Sequence, residues 1–232
     1  MYSKTILHVF AAVLLSAAMA AAAIPGLCNT GLVAGCTALV APGNGSSTDG
    51  NWQIANPSPT SPSTLPLPVP CEQSCLVLSF EPAWVDFPDP SWQPDPATYS
   101  PTAGQWITPQ VENNLGGQYI YRTTFPVPAG MGHVTIYGLL LSDNEVYAIF
   151  LSSGSSECIP VAGYPYDGAA VNSPSNFIAP ATKFKIVKMP VTAGATATLY
   201  FVVRNRGEGG VDSNPTSTGL RVSFNASSAF SQ

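Results

Sequence analysis

The run Gly117-Gln118-Tyr119-Ile120-Tyr121-Arg122-Thr123-Thr124-Phe125-Pro126-Val127 alternates with a period of two. Tyr119, Tyr121, Thr123, Phe125 and Val127 fall on one side, and Gln118, Ile120, Arg122 and Thr124 on the other. Aromatic and β-branched residues at alternate positions suit a pleated, half-buried strand. The same pattern returns near the C-terminus, where Leu220, Val222 and Phe224 alternate with Arg221, Ser223 and Asn225. Between these two, residues 133–141, 146–152 and 196–204 are β-branched and aromatic runs of strand length, and 177–189 is expected to hold one or two more. Ser142-Asp143-Asn144-Glu145 lies between two of the runs and reads as a hairpin turn, because Asp and Asn bond their own backbone there. No segment sustains a helical period. Strands at this spacing, separated by turn residues, specify an all-β sandwich or barrel in one domain.

Composition agrees. The 232 residues include 23 Pro and 20 Gly, and only 9% are charged. That punctuation and low charge exclude long helical bundles and coiled coils. The 45% hydrophobic content supplies a core and argues against whole-chain disorder. Charge is unevenly placed: no Lys or Arg occurs from Ile24 to Tyr121, and all four Trp (52, 84, 92, 106) lie in that stretch. Nucleic-acid binding needs clustered basic charge, which this half cannot provide. Lys183, Lys185 and Lys188 form the one basic cluster and read as an edge-strand face that discourages pairing with another sheet.

Met1–Lys4, an apolar run and the small residues Ala18–Ala23 have the pattern of a secretory signal, with cleavage after 20 or 23. The expected product is extracellular, with no membrane insertion. Cys28, Cys36, Cys71, Cys75 and Cys158 suit an oxidising compartment. Cys28/Cys36 and Cys71/Cys75 are the simplest pairs, and crossed pairings are equally allowed. Either way Cys158 is left over, available for an intermolecular link. Residues 24–48 read as a small Gly- and Cys-rich extension. The six prolines within 56–70 favour extended polyproline conformation, as a surface loop or a glycosylated spacer. Asn44-Gly45-Ser46 and Asn225-Ala226-Ser227 are N-glycosylation sequons.

The order of short motifs resembles the galactose-binding-like jelly-roll domain of secreted bacterial and algal proteins. It is also similar to the accessory carbohydrate-binding jelly rolls of glycoside hydrolases. The motifs are Asp49-Gly50-Asn51-Trp52, Gln105-Trp106-Ile107-Thr108, the 117–125 strand, Asp143-Asn144 before a strand, Val203–Asn205 and Thr218–Val222. The resemblance spans about 49–225 and implies one jelly-roll domain with a short tail at 226–232. It gives Trp106, Tyr121 and Arg122 core or strand roles and Asp143 and Asn144 a structural one. A structural calcium ion is common in such domains, and Asp143, Asn144 and Glu145 carry the oxygen ligands it would need.

Catalysis finds little to work with. His133 is the one His beyond the leader, and no nucleophile elbow exists. Glu81, Asp86, Asp89, Asp95 and Glu112 are the carboxylates a glycosidase would need, set among prolines as loop acids are. The expected function is therefore non-catalytic binding of carbohydrate or cell-surface glycan. Trp92 is expected to be an accessible stacking platform, and Arg206, Glu208, Asp212 and Asn214 a polar cluster in a Gly-rich loop. The rival expectation is a structural matrix or surface-assembly glycoprotein linked through Cys158.

Overall fold

A computed structural model of the chain describes residues 24–41, 47–55, 78–85, 90–92, 94, 103–109, 114–154, 158–161, 177–178, 180–207 and 216–232. The described chain is all-β. Its strands are β1 (Thr48–Ala55), β2 (Glu81–Trp84), β3 (Gly117–Pro126), β4 (His133–Asp143) and β5 (Glu145–Ser153). They continue with β6 (Cys158–Pro160), β7 (Thr182–Pro190), β8 (Thr196–Asn205), β9 (Gly219–Phe224) and β10 (Ala229–Ser231). No described helix is long and apolar enough to cross a membrane.

Two antiparallel sheets pack face to face. The larger runs β2-β1-β3-β8-β5-β6, and the smaller has β4 between β7 and the pair β9 and β10. β9 and β10 lie along the same edge of β4, opposite Gly138–Asp143 and His133–Thr135 respectively. They form one strand interrupted by a bulge at 225–228.

The predicted inward residues do face the core. Tyr119, Tyr121, Phe125 and Val127 on the β3 side meet Leu220, Val222 and Phe224 of β9 in a single apolar cluster. Phe184 and Phe201 cross edge-to-face at its centre, with ring centroids 5.6 Å apart, a geometry favoured by the ring quadrupoles.

The 142–145 segment is not a hairpin. β4 belongs to the small sheet and β5 to the large one, so Asn144 is the corner at which the chain changes layers. Two runs of high β-propensity joined by a short polar connection fit a hairpin or an interlayer crossing equally well. The apolar patterning of both strands, rather than the turn, decides between them. Trp84 lies in β2.

One long edge of the sandwich is seamed shut by two irregular segments. Ile107 exchanges backbone hydrogen bonds with Leu220 of the small sheet, and Thr108 does so with Trp84 of the large one. Beside it, Thr30 accepts from Val222 N through its hydroxyl and donates its own N–H to Val222 O, while Gln105 N donates to Thr30 O. Cys28 and Cys36 form a disulfide with Cα atoms 5.2 Å apart. Its loop is fastened to β1, where Asn51 Nδ2 donates to the Leu32 and Val33 carbonyls and Trp52 Nε1 to Cys28 O. Ile24 and Leu27 are buried in the main core, so residues 24–41 are built into the sandwich.

Tyr121 carries a hydroxyl with no hydrogen-bond partner among the described residues. Burial raises its phenol well above the usual range, and Tyr119 and Asp143 push the same way. A buried polar group left unmade costs about 1–3 kcal/mol. Tyr121→Phe is therefore expected to melt at or above the wild-type temperature. A loss of more than a few degrees in a thermal melt would show that the hydroxyl has a partner in the folded chain.

Candidate functional site

The outer face of the large sheet changes character from one edge to the other. Strand register sets Gln53 (β1), Arg122 (β3), Tyr200 (β8), Phe150 (β5) and Pro160 (β6) side by side across it. On the β8–β5 side the face is apolar and covered. Ile120, Phe150, Cys158, Tyr200 and Val202 form a second buried cluster, with Leu78 and Phe80 packed over it. On the β1–β3 side it opens into a polar cleft of about 450 Å³, lined by residues that include Thr48, Asn51, Gln53, Pro82, Arg122 and Thr124.

Arg122 stands at the boundary. Its Nε donates to Gln53 Oε1 (2.8 Å), and its guanidinium carbon lies 3.7 Å from the centre of the Phe80 ring. A guanidinium held by an amide along one edge and an aromatic face below is fixed in orientation, with donors left for a ligand. Tyr200 flanks it. Burial raises that phenol above its ordinary value, with Arg122 and a hydrogen bond to Thr198 opposing the shift. Thr48 and Thr124 add hydroxyls that can donate or accept.

Asp49 also borders the cleft, but its carboxylate is turned inward and only 3% of the residue is exposed. Oδ2 accepts from Gly31 N (2.5 Å), and Oδ1 from Asn51 N (2.7 Å) and Trp52 N (3.1 Å). Burial pushes it up to about 6, against the lowering effect of those N–H groups.

The residues singled out from the sequence fare differently. Trp106 is buried, in keeping with the role the resemblance implied, and Trp52 is buried as well. Trp92 is not an accessible platform: it is 5% exposed, its ring centroid lies 4.4 Å from that of Trp106, and its Nε1 donates to Asp143 Oδ2 (2.8 Å). The flanking prolines and acids suggested a loop, but the indole edge found a buried carboxylate, and that bond carries it into the interior. Gly219 makes room for it, since a Cβ there would stand 2.7 Å from the indole.

The acid group proposed for calcium is occupied by protein donors. Asp143 also accepts from Asn144 Nδ2 (2.8 Å), Asn144 Oδ1 accepts from Arg206 N, and Glu145 pairs with the Arg206 guanidinium at 3.1 Å. A cation would have to displace these N–H groups. Among the described residues no cluster of three or more His, Cys, Asp or Glu is placed to hold a metal. Arg206, assigned from sequence to a ligand cluster, is thus the partner of Glu145. Its companions Glu208, Asp212 and Asn214 lie outside the described residues, as do Cys71, Cys75, Asn44, the 56–70 run and the leader.

Cys158 is 5% exposed beneath the outer cluster, and burial raises its thiol to about 11. A thiol so protonated and enclosed is a poor nucleophile and is not presented to a second chain. Asn225 is exposed, and His133, at the start of β4, faces the C-terminal residue, with Nδ1 3.3 Å from Gln232 O.

Gln53 and Arg122 are the functional candidates that composition hid. The resemblance gave Arg122 only a strand role, and Gln53 is an unremarkable position until register sets it opposite. No family model, curated protein or solved structure matches the chain.

Proposed function

We propose that the protein is a secreted, non-catalytic jelly-roll module that binds a neutral glycan in the cleft over β1 and β3. The observation that carries this reading is the Gln53–Arg122 pair, oriented on Phe80 and flanked by the Thr48 and Thr124 hydroxyls. Sugar hydroxyls both donate and accept, and the cleft offers a fixed guanidinium, an amide and two hydroxyls within one span. A carboxylate-rich ligand would gain from Arg122 alone, and the chain around it is otherwise acidic.

The jelly-roll type is supported by the strand order. The successive long strands β3, β4, β5, β7, β8 and β9 alternate between the two sheets, as they do when paired Greek keys are wrapped into a sandwich. A galactose-binding-like relationship is in keeping with that order and with the motifs quoted above. Export rests on the leader pattern and on the Cys28–Cys36 disulfide, which needs an oxidising compartment to persist.

A glycan array probed with the secreted chain and with Arg122→Ala tests the reading. Hydrogen bonds to a charged group contribute about 1.5–3 kcal/mol, so Arg122→Ala is expected to weaken binding tenfold or more, and Gln53→Ala to weaken it less. Retention of no neutral glycan by the wild type, or equal binding by wild type and Arg122→Ala, would overturn it.

A further inference from the structure

The outer face of the small sheet carries a second cleft of about 450 Å³, whose lining includes Tyr137, Leu139, Lys183, Asn225, Ala226 and Ser227. Leu139 is 42% exposed there, and Lys185 Nζ lies 5.7 Å from the centre of the Tyr137 ring. The whole sequon Asn225-Ala226-Ser227 belongs to that lining, and the backbone holds it against Tyr137. Asn225 N donates to Tyr137 O (2.8 Å). Ser228 Oγ accepts from Tyr137 N (3.0 Å) and lies 3.3 Å from Tyr137 O. Asn225 therefore sits across the strand pair from Tyr137, on the outward side shared with Arg221 and Ser223. Cross-strand neighbours of this kind stand about 4.5–5.5 Å apart at Cβ. Asn225 Oδ1 accepts from Ser227 N (2.9 Å), which fixes the side chain and leaves Nδ2 with no partner among the described residues.

We infer that Asn225 carries an N-linked glycan whose first sugars lie on Tyr137 and Leu139, covering this face of the small sheet. A sugar joined to Nδ2 begins at the rim of the cleft, so its local concentration there is set by the tether and not by free ligand. The apolar side of a pyranose ring is the surface that an aromatic face and an exposed leucine can cover. The Ser227 hydroxyl completes the acceptor signal. This cleft is on the opposite sheet from Arg122, and its occupancy stands or falls apart from glycan capture there. The two share only the expectation of export.

The test uses the full chain secreted from insect cells. Peptide mapping by mass spectrometry is expected to find a glycan on Asn225. Ser227→Ala removes the acceptor signal without altering Asn225, and is expected to lower the melting temperature by about 2–4 °C. In a Tyr137→Ala background, the further change Ser227→Ala is expected to make no difference, because the sugar has lost its seat. Leu139→Ser, at an exposed position, serves the same purpose should Tyr137→Ala fail to fold. An unmodified Asn225 in the secreted chain would overturn the inference. So would a Ser227→Ala shift of equal size with and without Tyr137 or Leu139, since that would reflect a tethered sugar that touches neither.

Discussion

Trp92→Ala is expected to cost about 3–5 kcal/mol, the range for truncating a buried Trp. For a domain of this size that lowers the melting temperature by about 6–20 °C. Three losses combine. The cavity lies against Trp106 and Leu141 in a small satellite cluster, where few neighbours can collapse into it. The ring contact with Trp106 disappears. Asp143, a buried carboxylate, loses the indole N–H that faces its Oδ2.

The third loss can be isolated. Trp92→Phe keeps a ring in the cluster but removes the donor, so it is expected to cost about 1.5–3 kcal/mol, less than the alanine variant. Asp143 marks the corner where the chain passes from one sheet to the other, so part of the effect should appear as faster amide exchange at 143–145. A Trp92→Ala protein with wild-type stability would mean that the indole is solvent-exposed after all.

Asp49→Ala is the second large effect. The carboxylate holds the N–H groups of Gly31, Asn51 and Trp52, tying the disulfide loop to β1. Removing it leaves donors unmet in a buried site, at a cost of about 3 kcal/mol, since bonds to a charged group contribute about 1.5–3 each and do not add fully. Chemical denaturation measures this directly.

The same group also makes stability depend on pH. Its folded value, about 6, lies above the 3.8 of an exposed Asp, so the folded chain holds the proton more tightly than the unfolded one. The stabilisation linked to that proton is fully present below pH 3.8 and is lost as pH rises through about 6. Wild type is therefore expected to lose stability relative to Asp49→Asn between about pH 4 and 6, with a constant difference above that. A wild type that gained stability relative to Asp49→Asn as pH rose, or a difference that did not change, would place the Asp49 carboxyl at or below its ordinary value.

The strands were readable because their signal is local. The alternation at 117–127 and 220–225 assigns inward and outward faces residue by residue, and the structure keeps those faces. The three Lys of the basic cluster lie on β7, at the edge of the small sheet, where edge charge was expected. What escaped the sequence depends on contacts between distant segments. Trp92 sits among Pro and Asp, which argue for exposure, and only the position of Asp143 reverses that argument. Glu145 and Arg206 are 61 residues apart, so they were assigned to different sites before the fold joined them. The Gln53–Arg122 pair spans 69 residues and exists only through the β1–β3 register. Residues 24–48 read as an extension in the sequence because they are small and Gly-rich, with no strand-length run. The role of 24–41 lies in backbone groups, and composition does not report those.

The seam between the sheets also orders events in time. Thr30 and Val222 are separated by 192 positions, whereas Cys28 and Cys36 are separated by only 8. A chain emerging N-terminus first can close the disulfide loop almost at once and hold it on β1, but the bonds that tie the loop to the small sheet wait until β9 has appeared. Until then Ile24, Leu27 and the inner faces of the central strands stay open to water and to other chains. Loop-closure entropy makes such late, distant pairings slow, and partly folded chains with bare apolar faces aggregate. The fold is therefore completed from its two ends together, and a chain cut short before residue 219 would lose the strand that closes it.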